Sequence, residues 1–215
     1  MEQFLFLFEI IGTVAFAVSG AIAAIHSAMD LFGVLMLGII TATAGGVIRD
    51  IILGTFPPQA FIHPVYVGTA ALTSLAVFIV FARMNDAERV LDSPRYRRLL
   101  LIFDSIGLAV FTVTGMTTAM HVHGADNGFL VVFSGVMSGV GGGVLRDMML
   151  GGMPVIFRKQ IYAVASIIGG LTAWLFFVNG YIFAGEIAGS AAVFAIRLLA
   201  VHYRWSLPRI ERRSE

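Results

Sequence analysis

Apolar residues in this chain gather into seven long runs, at roughly 4–25, 31–54, 64–82, 99–120, 128–151, 160–179 and 182–201. A helix needs about 20 predominantly apolar residues to cross the ~30 Å hydrocarbon layer of a bilayer. Each run is near that length. Between them lie residues that stop helices: Asp30, Pro57-Pro58, Pro64, Asn85-Asp86, Ser93-Pro94, the Gly124-to-Asn127 loop, Pro154 and Asn179-Gly180. The pattern predicts an all-α membrane protein with seven transmembrane helices.

The runs are not independent. Glu9, Gly12, Phe16, Ser19 and Gly20 in the first recur in the fourth as Asp104, Gly107, Phe111, Thr114 and Gly115. The second and fifth share more, because Ala44-Gly45-Gly46-Val47-Ile48-Arg49-Asp50 faces Gly141-Gly142-Gly143-Val144-Leu145-Arg146-Asp147. Each then ends in Leu-Gly, at Leu53-Gly54 and Leu150-Gly151, with a proline after it (Pro57, Pro154) and later a tyrosine (Tyr66, Tyr162). A three-helix unit is thus repeated. Three is odd, so the second copy must enter the membrane inverted, an architecture that places a site near the midplane where the copies meet. The predicted organisation is a first repeat at 1–82, a basic linker at 83–98, an inverted repeat at 99–179, a seventh helix at 180–203 and a basic tail at 204–215. The seventh helix lacks a counterpart and is expected around the outside.

Composition agrees. The 215 residues are 58% hydrophobic and 13% charged, where a soluble domain carries roughly 25% charged residues. Net charge is +1, which makes no case for nucleic acid, and the absence of cysteine excludes disulfides and thiolate metal sites. Met1-Glu2-Gln3 lacks a basic leader, so the first run is expected to be a retained span. Twelve of the fourteen Lys and Arg residues fall around 83–98, at Arg158-Lys159, or at and beyond Arg197. Seven spans put these groups on one side, and the loops at 54–63, 121–127 and 180–182 contain none. The positive-inside rule places the N-terminus outside and the C-terminus in the cytoplasm.

The other two arginines, Arg49 and Arg146, lie within spans, where a charge costs roughly 2.5–3.5 kcal/mol on insertion scales. Gly45-Gly46 and Gly141-Gly142-Gly143 precede them by about one turn. Consecutive glycines weaken a helix by about 1 kcal/mol each relative to Ala and are common kink sites, so both helices are expected to break there and to aim half-helix ends into a cavity. Asp50 and Asp147 adjoin the arginines but point about 100° away on a helix. Each arginine is therefore expected to reach an acid on another helix, with Glu9, Asp104 and the opposite repeat's aspartate as candidates. Structural ion pairs locking the repeats and a charged aqueous route both fit these charges. The hydroxyls Ser19, Thr41, Thr43, Thr114 and Ser138 lie on the same four spans, and such groups can replace an ion's hydration or bond their own helix. Gly135-x-x-x-Gly139-x-x-x-Gly143 and Gly185-x-x-x-Gly189 read as close helix packing. No catalytic or phosphate-binding motif is present, so the chain is not read as an enzyme; His121 and His123 beside Asp126 read as a solvated loop rather than a metal site, and no cofactor is expected.

The doubled Gly-Gly-x-x-Arg-Asp in spans two and five resembles the prokaryotic relatives of TRIC (trimeric intracellular cation) channels, also known as glycine-transporter-domain proteins of bacterial inner membranes. The resemblance covers about residues 5–200. It implies a homotrimer in the inner membrane, surrounded by lipid, with a path for K⁺ and other monovalent cations inside each protomer. It makes Gly45, Gly46, Gly141, Gly142 and Gly143 the pore kinks and Arg49, Asp50, Arg146 and Asp147 the pore charges. The segment that reads Lys-Glu-Val in the animal channels is Gly-Gly-Val here (142–144), so phosphoinositide regulation is not implied. Two opposed charges per repeat do not select cations, and an alternating-access carrier for a small amino acid such as glycine fits the same architecture. A scaffold without transport is a third reading.

Overall fold

The computed structural model describes residues 2–85, 89, 91, 93–158, 161–203 and 205. Its regular elements there are all helical: α1 (Glu2–His26), α2 (Leu31–Ile52), α3 (Gln59–Ile62), α4 (Pro64–Arg83), α5 (Pro94–His123), α6 (Gly128–Met149), α7 (Val155–Arg158), α8 (Ile161–Phe177) and α9 (Ile182–His202). Six of them (α1, α2, α4, α5, α6 and α9) are long and apolar enough to cross a membrane, and α8 is a shorter apolar helix of 17 residues. At 1.5 Å per residue it reaches about 26 Å.

Helix ends follow local chemistry, and the two halves use the same devices. Asp30 accepts from the Gly33 N–H at 2.8 Å to start α2, and Asn127 accepts from the Leu130 N–H at 3.0 Å to start α6. At the far ends, the Thr55 N–H returns to the Asp50 carbonyl and the Gly152 N–H to the Asp147 carbonyl. Gly54 and Gly151 both take φ +69° between them. That is the glycine-terminated Schellman stop, and it accounts for the repeated Leu-Gly. Helix α5 begins five residues before the predicted 99, because Pro94 has a φ already suited to the first helical turn; the linker at 83–98 thus yields its last turn to α5. Asp86, Lys159 and the tail arginines Arg204, Arg209, Arg212 and Arg213 lie outside the described residues.

Helices α1, α2, α5 and α6 form the centre, with α4 against α1 and α2, and α8 against α5 and α6. Phe16 of α1 packs where a side chain on Gly107 would stand, Phe111 of α5 abuts Gly12, and the two rings stack with centroids 5.4 Å apart. A Cβ on Gly45 would lie 2.0 Å from the Ser138 carbonyl oxygen, and one on Gly142 2.1 Å from that of Thr41. Each of α2 and α6 thus presses a glycine onto the other's backbone. Both run as continuous α-helix through their glycines, so the half-helix ends expected there are absent: close crossing needs the missing side chain without needing an end. Gly135, Gly139, Gly185 and Gly189 are likewise seated against neighbouring carbonyls, in keeping with the packing reading.

Helix α9 is not merely peripheral. It packs on α8 and α5 and buries Glu186, Ser190 and Arg197.

Candidate functional site

A cavity of about 210 Å³ lies in the first half of the molecule. Glu9 and Thr13 of α1, Thr43, Gly46, Arg49 and Asp50 of α2, Tyr66 of α4, and Phe111 and Thr118 of α5 line it, with Gln59 and the exposed His63 from the α2–α4 connection. Helical spacing explains the set: Glu9 and Thr13 lie four apart, as do Thr43's neighbour Gly46 and Asp50, so each pair shares a face.

Arg49 meets Asp50 directly, with Nη2 to Oδ1 at 2.7 Å and Nε to Oδ1 at 2.8 Å. Arg146 likewise donates from Nε and Nη2 to Asp147 Oδ1, at 3.0 and 2.8 Å. The expectation that neighbouring residues could not pair is wrong. Cβ vectors diverge by about 100°, but an arginine stem is long enough to fold back, and both pairs sit in the last helical turn. The second oxygens are fixed from outside the helix: Asp50 Oδ2 accepts the Gln59 N–H and Asp147 Oδ2 the Val155 N–H, each at 2.8 Å. The aspartate thus clips the returning loop with one oxygen and orients the arginine with the other.

Beyond this shared clip, the halves differ. Arg146 also donates from Nη1 to Asp104 Oδ1 at 2.8 Å and to the Ser19 hydroxyl, which is the interhelical pairing expected of it. Asp104 Oδ2 has Arg197 Nη2 at 3.8 Å. Arg146, Asp104 and Arg197 are each buried, and none lines the cavity. In the first half, Glu9 takes its hydrogen bond from the Tyr66 hydroxyl, and Arg49 has Asp50 as its only ion-pair partner among the described residues. Thr114, the counterpart of Ser19, keeps its hydroxyl buried without a partner, as does Tyr162, the counterpart of Tyr66. The first-half cluster of Glu9, Arg49 and Asp50 therefore carries one formal negative charge in excess. The second, with Asp104, Asp147, Arg146 and Arg197, is neutral.

Other predicted site residues are dispersed. Gly46 faces the cavity, whereas Gly45, Gly141, Gly142 and Gly143 are buried, Gly45 and Gly142 in the α2–α6 crossing. Thr41 donates to its own helix at Leu37 O, 2.6 Å, Ser138 is buried without a partner, and Thr43 both lines the cavity and bonds Ile39 O at 2.8 Å. His123 Nε2 lies 2.9 Å from the Leu53 carbonyl, and among the described residues no group of three His, Cys, Asp or Glu could hold a metal. Sequence reading missed Thr13, Gln59, His63 and Thr118. It counted Arg197 among the flanking basic charges although a charge inside an apolar run was signal enough. It also passed over Glu186, which Thr117 meets at 2.9 Å.

Apolar helices around a partly charged internal cavity define a multi-pass membrane protein with an interior polar compartment. The family model described as Glycine transporter matches twice, over residues 6–82 and again over 101–177. A UPF0126 membrane protein of Deinococcus radiodurans is 37% identical over 88% of this chain and 84% of its own length. The UPF0126 inner membrane protein YadS of Escherichia coli is 35% identical over 93% of both chains. Among solved structures, one described for conductance through TRIC cation channels superposes with TM-score 0.81 at 35% identity, covering 97% of this chain and 98% of its own. The TRIC trimeric intracellular cation channel orthologue from Rhodobacter sphaeroides superposes with TM-score 0.84 at 29% identity, over 94% and 100%. The chain belongs to this TRIC-like Glycine transporter family and is a multi-pass protein of the inner membrane.

Proposed function

We propose that each protomer conducts monovalent cations, K⁺ among them, through a path inside itself, and that three protomers assemble as the solved relatives' name describes. In this reading α8 crosses the membrane with the six longer helices. The second half is inverted against the first, the N-terminus is outside, and the first-half cavity opens outward. The observation that carries the reading is the charge of that cavity. Arg49 is cancelled by Asp50 at 2.7 Å, which leaves Glu9 as the surplus formal charge in a space also lined by Phe111, Thr13, Thr43 and Thr118. Low-dielectric walls focus such a charge and concentrate counter-ions, so cations enter and anions do not. In this reading the Arg146–Asp104–Asp147 cluster closes the other end of the path.

The purified protein in planar bilayers under a KCl gradient tests this. Unitary currents reversing near the K⁺ potential support it; currents reversing at the chloride potential contradict it. A second reading, an alternating-access carrier for a small amino acid such as glycine, is favoured by one feature: a compartment at one end and an ion-paired seal at the other. It predicts saturable glycine uptake into proteoliposomes without unitary currents.

A further inference from the structure

The repeat gives both halves an acid on the first helix and an Arg-Asp doublet on the second, so each half alone would carry the same excess negative charge. Only the second half is neutral, and the difference is one residue from the helix that the repeat does not contain. Arg197 is 3% exposed. Its guanidinium carbon lies 4.6 Å from the centroid of the Tyr162 ring, within the range of a cation–π contact, and its Nη2 is 3.8 Å from Asp104 Oδ2. Its Nε has no hydrogen-bond partner. An arginine serving only to anchor α9 would be expected to form a close, fully bonded pair. This one is held loosely, over a ring, with its charge toward the acid that corresponds to Glu9.

We infer that Arg197 is a positioning residue for ion passage: a tethered cation that occupies Asp104 and so withholds from the second half the negative charge that the first half offers to ions. The inference rests on the channel reading above and concerns what regulates its closed end. Removing Arg197 leaves Asp104 and Asp147 facing Arg146 alone, a net negative cluster like that around Glu9.

The full-length protein is reconstituted in planar bilayers, and K⁺ conductance is measured at low and high KCl for the unmodified chain, Arg197→Gln, Arg197→Lys and Asp104→Asn. Arg197→Gln is expected to raise conductance at low KCl by about tenfold, the lower end of what a charged cleft does to local counter-ion concentration. The gain should shrink at high KCl, because the screening length falls from about 30 Å at 0.01 M to about 3 Å at 1 M. Arg197→Lys keeps the charge and should behave as the unmodified protein, while Asp104→Asn makes the cluster net positive and should lower conductance. A structural role moves glutamine and asparagine variants in the same direction, without dependence on salt. Unchanged low-salt conductance in Arg197→Gln, or a gain that is equal at both salt concentrations, overturns the inference and leaves the channel reading standing. Should Arg197→Gln fail to assemble, Asp104→Asn decides: conductance at or above the unmodified level overturns it. No unitary current from the unmodified protein removes the channel reading, and this inference with it.

Discussion

Arg49 and Asp50, and again Arg146 and Asp147, occupy adjacent helix positions and nonetheless form ion pairs. The sequence shows the doublet but not the fold-back, because Cβ direction governs short side chains and an arginine can turn its guanidinium through a wide arc. What the sequence also withholds is the second use of each aspartate, the bond to a backbone N–H eight or nine residues later, which depends on how the connection returns. These contacts set the stakes for single substitutions. Arg146→Ala removes the close partner of the buried Asp104, which keeps only Arg197 at 3.8 Å, and of the half-buried Asp147, and should destabilise the protein by about 3–5 kcal/mol, seen as a large fall in melting temperature in detergent. Arg49→Ala strands Asp50 but leaves that carboxylate its bond to Gln59, and should cost less. Glu9→Gln removes the cavity's surplus charge while keeping a partner for Tyr66. It should shift the reversal potential in a KCl gradient toward zero, with little change in melting temperature. A reversal potential still at the K⁺ value in this variant would move selectivity elsewhere.

Seven apolar runs and a doubled motif were legible from hydrophobicity and the shared residues, and the helix starts at Asp30 and Asn127 follow from capping chemistry. The behaviour of the paired glycines was not. Glycine weakens a helix and also lets two helices touch, and only the neighbour decides which effect operates. Here the neighbours are carbonyl oxygens about 2 Å from where Cβ atoms would stand at Gly45 and Gly142, so contact prevails. Gly45→Ala and Gly142→Ala should therefore spread the α2–α6 crossing and lower thermal stability markedly. At Gly46 an added Cβ would meet Arg49 Nη2 at 3.8 Å, and Gly46→Ala should be tolerated, with a gain of up to ~1 kcal/mol from helix propensity. Equal losses at Gly45 and Gly46 would mean that flexibility, not contact, is what these glycines provide.

Across the whole molecule the two halves share caps, stops, clips and crossings, yet differ where charge is concerned. The first half holds a cavity around Glu9; in the second, Arg146 reaches across to Asp104 and Ser19, with Arg197 added from α9. That asymmetry could not be foreseen from a sequence whose repeats match so closely, since it resides in one residue of the unmatched helix and in which way a side chain turned. The proposed function puts the path within the protomer, and the absence of cysteine from the chain makes that proposal directly accessible. A single cysteine introduced as Thr43→Cys would line the cavity, and a membrane-impermeant cationic thiol reagent applied to the outer face during bilayer recording should abolish or sharply reduce the K⁺ current. Thr43→Cys channels that are fully labelled yet carry unaltered current would show that ions pass somewhere other than this cavity.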